Sequence, residues 1–170
     1  MPRAENKVKW CFDKAEKELK DTGKHKGLIK IEPNIELARQ HIAKAEHNLK
    51  AIITFKKNGF SDWSASATFY SIYHGLLAIL VKQGYESKNQ ECTFALIYSL
   101  MKNNKINLDI NLIKEINLLN HEEKHENPTV IEVREAEQYG VNITLQDKTY
   151  ERLLSLAKNA LDQIKNIIEQ

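Results

Sequence analysis

The chain has 170 residues, 42% of them hydrophobic and 28% charged, with 25 Lys and Arg against 23 Asp and Glu. That length suits one domain with a sizeable core, and the balance is ordinary for a globular protein, which excludes a disordered or fibrous chain. The start MPRAENKVK has no apolar run behind its charges, so no secretory signal is expected.

Six Gly and three Pro fall mostly between periodic segments, which favours long helices. Cys11 and Cys92 are the two cysteines. They have no metal-site spacing and form no framework, so a reducing, cytoplasmic setting is expected. The near-neutral total hides an asymmetry. Residues 1–60 carry 14 Lys and Arg against 8 Asp and Glu, a net of +6, and residues 61–170 carry 11 against 15, a net of −4. A basic N-terminal third can face nucleic acid or an acidic partner. The simpler reading is a Lys-rich, solvated helix face.

In chain order, Ala4–Asp21 reads as an amphipathic helix with Val8, Cys11, Phe12, Ala15 and Leu19 on one face. Trp10 falls off that stripe and is expected to pack on another part of the molecule. Thr22–Pro33 is a connector broken by Gly23 and Gly27. Asn34–Asn58 is a two-sided helix with Asn34 as N-cap, and Ile35, Ala38, Ile42, Ala45, Leu49, Ile52 and Ile53 facing the core. Ser61–Val81 is a helix apolar on more than one side, expected to be buried between neighbours. Its charged and polar interruptions, Asp62, several Ser and His74, mark it as a core helix rather than a membrane span. Ser61 is the expected N-cap, Phe60 a staple onto Ala65, and Gly84 the left-handed stop. A row of small residues, Ser64, Thr68, Ser71, Gly75 and Ala78, would let a further helix come close, with one face left for a second copy of the chain. Glu91–Asn103 and Asp109–His125 read as two more helices, the second with Leu112, Ile113, Ile116 and Leu119 inward and ended by Pro128. In Thr129–Leu145, Val130–Glu137 suits a short helix, and Val141–Leu145 alternates like a strand. Asp147–Gln170 is a strongly amphipathic final helix. The sum is an all-α, up-and-down helical bundle of five or six helices.

Three places carry chemistry. His121-Glu122-Glu123-Lys124-His125 is a literal H-E-x-x-H, which on a helix puts two imidazoles on one face for zinc with Glu122 as base. Its charged middle and the nearby Pro128 favour an exposed helix end, so a zinc-dependent hydrolase at His121 and His125 is the distant reading and no metal or cofactor is expected. His74 follows Tyr70 by one turn and adjoins Tyr73, so these three can line a cleft that stacks on a base; a core histidine satisfied internally is the alternative. Arg134 and Tyr139 lie in VREAEQYG. Arginine's planar fork suits phosphate, while a surface ion pair with Glu137 or Glu132 is the competing reading. No phosphate-cradling glycine loop and no nucleophile elbow occur.

A Lys-rich amphipathic helix leads into SASATFYSIYHGLLAILVKQGYESK, then a helix pair, VREAEQYG and a long C-terminal helix. This order resembles the HEPN superfamily, helical domains named for higher eukaryotes, prokaryotes and nucleotide binding. The resemblance covers roughly Asn34–Ile168, and divides the chain into an N-terminal helix and connector, 1–33, and a bundle, 34–170. It implies a bundle that commonly dimerises, often beside a minimal nucleotidyltransferase in toxin–antitoxin pairs. Other members are metal-independent ribonucleases with an Arg-x4–6-His motif. Here Arg3, Arg39, Arg134 and Arg152 are the arginines, and none has His five to seven residues later. Arg134 meets Tyr139 at that distance. The expectation is a nucleotide- or RNA-associated module that is no enzyme, works as a homodimer and has such a partner. Its ligand-binding candidates are Tyr70, Tyr73, His74 and Arg134. The alternative is a ribonuclease with a divergent site of Arg134, Tyr139 and His74.

Overall fold

The computed structural model describes residues 2–118, 123 and 125–170. Among them the chain forms α1 (Pro2–Thr22), β1 (Leu28–Lys30), α2 (Ile35–Lys57), α3 (Ser61–Lys82), β2 (Tyr85–Ser87), α4 (Gln90–Lys102), α5 (Ile110–Ile116), α6 (Val130–Tyr139) and α7 (Asp147–Glu169). It is an all-α bundle with one two-stranded antiparallel ribbon, and it has seven helices where five or six were expected.

The central helix is α3. It lies along α2 and is covered by α7 and α6, and most of its length is buried. By length and composition α3 could cross a membrane, but its apolar surface is spent inside the protein. Asn34 caps α2 as expected, its side chain accepting the Leu37 N–H at 2.9 Å, and Asn89 caps α4 by accepting from Cys92. Gly84 has φ +84° and stops α3 in the left-handed region, which a side chain would strain. Three buried hydroxyls are satisfied along α3, two of them by tying it to α2. Ser64 donates to the Ile52 carbonyl and Ser71 to the Ala45 carbonyl, both on α2, and Thr68 donates back to Ser64. A Cβ at Gly75 would meet Ile164 Cδ1 of α7 at 2.6 Å. The small-residue row therefore brings α2 and α7 close within one chain, while Trp63 and Tyr70 keep another part of α3 exposed.

Several local expectations are corrected. Ser61 is not a cap: it is the first residue of α3, and its Oγ accepts the Leu145 N–H at 2.8 Å. Phe60 takes the cap position itself and is more than half exposed, not buried as a staple. Val141–Leu145 is irregular chain with Val141 and Ile143 exposed, and among the described residues no strand pairs with it. The helix expected over Asp109–His125 ends at Ile116, and Leu119 lies outside the described residues. Trp10 stays half-exposed on its own helix, with the Lys7 and Lys14 ammonium groups 4.3 and 5.2 Å from its ring centroid. Leu19 and Ile35, expected on core faces, are exposed.

Residues 1–33 share the bundle's core. α1 packs on α4, and Leu28, Ile29 and Lys30 pair with Ser87, Glu86 and Tyr85. Buried His25 meets Glu86 through Nε2 at 2.7 Å, and that hydrogen bond is the main cause holding the Glu86 carboxyl below its ordinary value. Cys11 and Cys92 form a disulfide, both fully buried. This corrects the expectation that the two cysteines form no framework, on which the reducing setting was based.

Candidate functional site

The site is built where α6 crosses α3. α6 begins with a capping box: Thr129 Oγ1 accepts the Glu132 N–H, and Glu132 accepts the Thr129 N–H at 2.7 Å. That fixes the helix so that Val130, Ile131 and Val133 enter the core. Arg134 follows on the same inward side, only 13% of its side chain exposed.

Its guanidinium carbon sits 4.1 Å from the centroid of Phe69, an attractive position over a ring face. Phe69 is 2% exposed and joins two tyrosines. Tyr73 stacks on it with centroids 5.4 Å apart, and Tyr70 meets it edge-on at 5.1 Å. The Tyr73 hydroxyl pairs with Thr93 Oγ1 of α4 at 3.2 Å, and burial pushes its phenol up. Tyr70 is half-exposed, so its ring offers a face to solvent. Arg134 Nη1 reaches Gln90 Oε1 at 3.5 Å and Nη2 lies 3.8 Å from Glu135, both at the loose end of such contacts. Its Nε is buried without a hydrogen-bond partner.

Arg134, Tyr70 and Tyr73 are thus brought together, through Phe69. Tyr139 and His74 are not part of the group. Tyr139 is 80% exposed at the last residue of α6. His74 turns to α2, where its Nδ1 faces His41 Nδ1 at 3.1 Å. The ion pair expected between Arg134 and Glu137 or Glu132 is also replaced. Glu132 serves the cap and accepts from His125 Nε2 at 3.0 Å, and Glu137 Oε2 is buried without a partner. His125 itself lies in irregular chain, so the helix needed for the zinc reading does not form there, and His121 lies outside the described residues. Among the described residues no group of three or more His, Cys, Asp or Glu is placed to hold a metal.

Burial, with Asp62 nearby, pushes the Glu137 carboxyl above its ordinary value. A raised carboxyl favours folding fully only below its unfolded value near 4.5, and that contribution is lost as pH rises through the folded value. Glu137→Gln should therefore leave stability unchanged in acid and raise it at neutral pH. Urea melts at the two pH values check this, and a variant less stable at pH 7 would contradict it.

Sequence reasoning missed Phe69 as part of the site because it reads as plain core. The available signal was its spacing, four residues before Tyr73 and adjacent to Tyr70. Gln90 and Glu137 gave none, since each acquires its place only when α4 and α6 dock.

Against known proteins, a search of the curated ones finds no match. The family model described as the HEPN domain matches residues 38–169, from the first turns of α2 to the end of α7. That span holds α3, α6 and every member of the Arg134 cluster, and the chain belongs to the HEPN family.

Proposed function

We propose that this chain is a nucleotide- or RNA-associated HEPN module that binds and does not cleave, acting as a homodimer beside a nucleotidyltransferase-type partner. One observation carries the binding reading: a cation held over a buried ring, with the half-exposed ring of Tyr70 at its edge. Base stacking on an aromatic face is tolerant of sequence and contributes about 1–3 kcal/mol per base. An arginine with loosely held donors can take a phosphate or a base edge. The reading without cleavage is supported by two facts. No arginine has His five to seven residues later, and the contacts of Arg134 are Gln90, Glu135 and Phe69 rather than an imidazole.

The test is binding of ATP and of a short single-stranded RNA at low salt, with wild type, Tyr70→Ala and Arg134→Met. Each variant should weaken binding by about tenfold, the scale of one stacking contact. Absence of binding by the wild type at low salt, or unchanged binding in both variants, would overturn the reading. Metal-free RNA cleavage abolished by Arg134→Met would replace it with a ribonuclease. Light scattering at micromolar concentration should give a dimer mass, and a monomer would remove the dimer.

A further inference from the structure

The His41–His74 pair lies on another face of α3 and does not depend on the Arg134 cluster. The two Nδ1 atoms approach to 3.1 Å and the ring centroids to 5.3 Å. Both residues are half-buried, with an edge open to solvent. Two neutral imidazoles hold this approach in one way: one Nδ1 carries the proton and donates to the lone pair of the other.

A metal ion can take the place of that proton once the two rings tilt so that their lone pairs converge on it. Imidazole nitrogens stand about 2.0–2.1 Å from zinc, so a tetrahedral angle separates two of them by about 3.3 Å. A right angle at a tetragonal ion with similar bonds separates them by about 2.9 Å. The observed 3.1 Å lies between these values. Burial pushes both imidazoles below the ordinary histidine value, with His41 and Lys44 adding to the effect at His74. The Nδ1 atoms at 3.1 Å share one proton, which leaves both imidazoles in the neutral form in which a histidine binds metal. Lys44 works against a cation here, but its side chain is exposed and its charge is solvated.

We propose that His41 and His74 form a two-histidine site for a divalent transition ion, Cu(II) foremost, that clips α2 to α3. Cu(II) leads because it stands at the top of the affinity order for nitrogen ligands and accepts tetragonal geometry. The two imidazoles supply two ligands, and water completes the shell.

The test is Cu(II) titration of tag-free protein at neutral pH, read by electron paramagnetic resonance. Wild type should bind one ion per chain with the signature of two nitrogen ligands. His41→Gln and His74→Gln should each lose about tenfold or more in affinity, since disturbing even a metal's outer-shell partners costs about 10–100-fold. His47→Gln, at an exposed position on α2, should bind as wild type does. Where a variant fails to fold, carbethoxylation of the wild type answers the same question: Cu(II) should protect His41 and His74 and leave His47 reactive. Absent binding, wild-type affinity in both variants, or equal protection of all three histidines would overturn the site and leave a hydrogen-bonded pair only.

Discussion

Replacing Cys11 and Cys92 together by alanine should lower the unfolding free energy by about 4 kcal/mol and the melting temperature by about 10 °C. The bond joins residues 81 apart in sequence. Cross-linking a loop of that size removes about 4.5 kcal/mol of chain entropy from the unfolded state, and native disulfides typically contribute 2–5 kcal/mol. For a chain of this length each kcal/mol shifts the melting temperature by about 2–4 °C. The same loss should appear when the wild type is melted in reductant. Both sulfurs are fully buried, so reduction will follow opening of the fold. Otherwise α1 is held by its packing on α4, by the ion pairs Lys7–Glu91 and Glu5–Lys102, and by the β1–β2 ribbon. The ion pairs are solvent-exposed and contribute little. Calorimetry settles the matter. A loss under about 1 kcal/mol would show that the ribbon and the α1–α4 packing hold the N-terminal segment alone.

The elements that were legible in the sequence are those whose signals are local. Asn34 was readable because a cap bonds to an amide three residues on. The amphipathic stripe of α7 needs no partner to be seen. The failures have the opposite character. The Ser61 hydroxyl looks like a cap until Leu145, 84 residues away, arrives to donate to it. Val141–Leu145 has the alternation of a strand, but alternation makes no strand without an edge to pair with. The strands that do form are three residues each, too short to show any period, and are separated in sequence by the whole of α2 and α3. The cysteine pair is invisible for the same reason, since only the docking of α1 on α4 brings the sulfurs together.

The site was half legible. Arginine is scarce in this chain, which made Arg134 conspicuous, and the spacing of Tyr70 and Tyr73 marked the α3 face. The partners were assigned wrongly because a helical wheel gives direction without register between helices. His74 lies five residues past Phe69, which turns it toward α2 and His41 rather than toward α6. Tyr139 lies five residues past Arg134 and turns out to solvent for the same reason.

Phe69→Ala should cost about 3–5 kcal/mol, the range for removing a buried phenylalanine. Phe69→Leu should cost under about 1.5 kcal/mol if the site repacks. The ring does more than fill space. It is the platform under Arg134, and it joins Tyr70 to Tyr73. The guanidinium is largely desolvated, with its Nε unpartnered, so the cation–ring attraction should approach about 2 kcal/mol rather than the 0.5–1 typical of exposed pairs. A double-mutant cycle of Phe69→Leu with Arg134→Met isolates that term. Arg134→Met alone should cost little stability, because it also removes an unsatisfied buried donor. A coupling near zero would mean that Arg134 is placed by the α6 backbone and Gln90 alone. Phe69 would then be core and nothing more, and Tyr70 and Arg134 would bind a ligand as independent groups. A coupling above about 1 kcal/mol makes the ring part of the site. Phe69→Leu would then weaken RNA or nucleotide binding together with Arg134→Met, while leaving the fold intact.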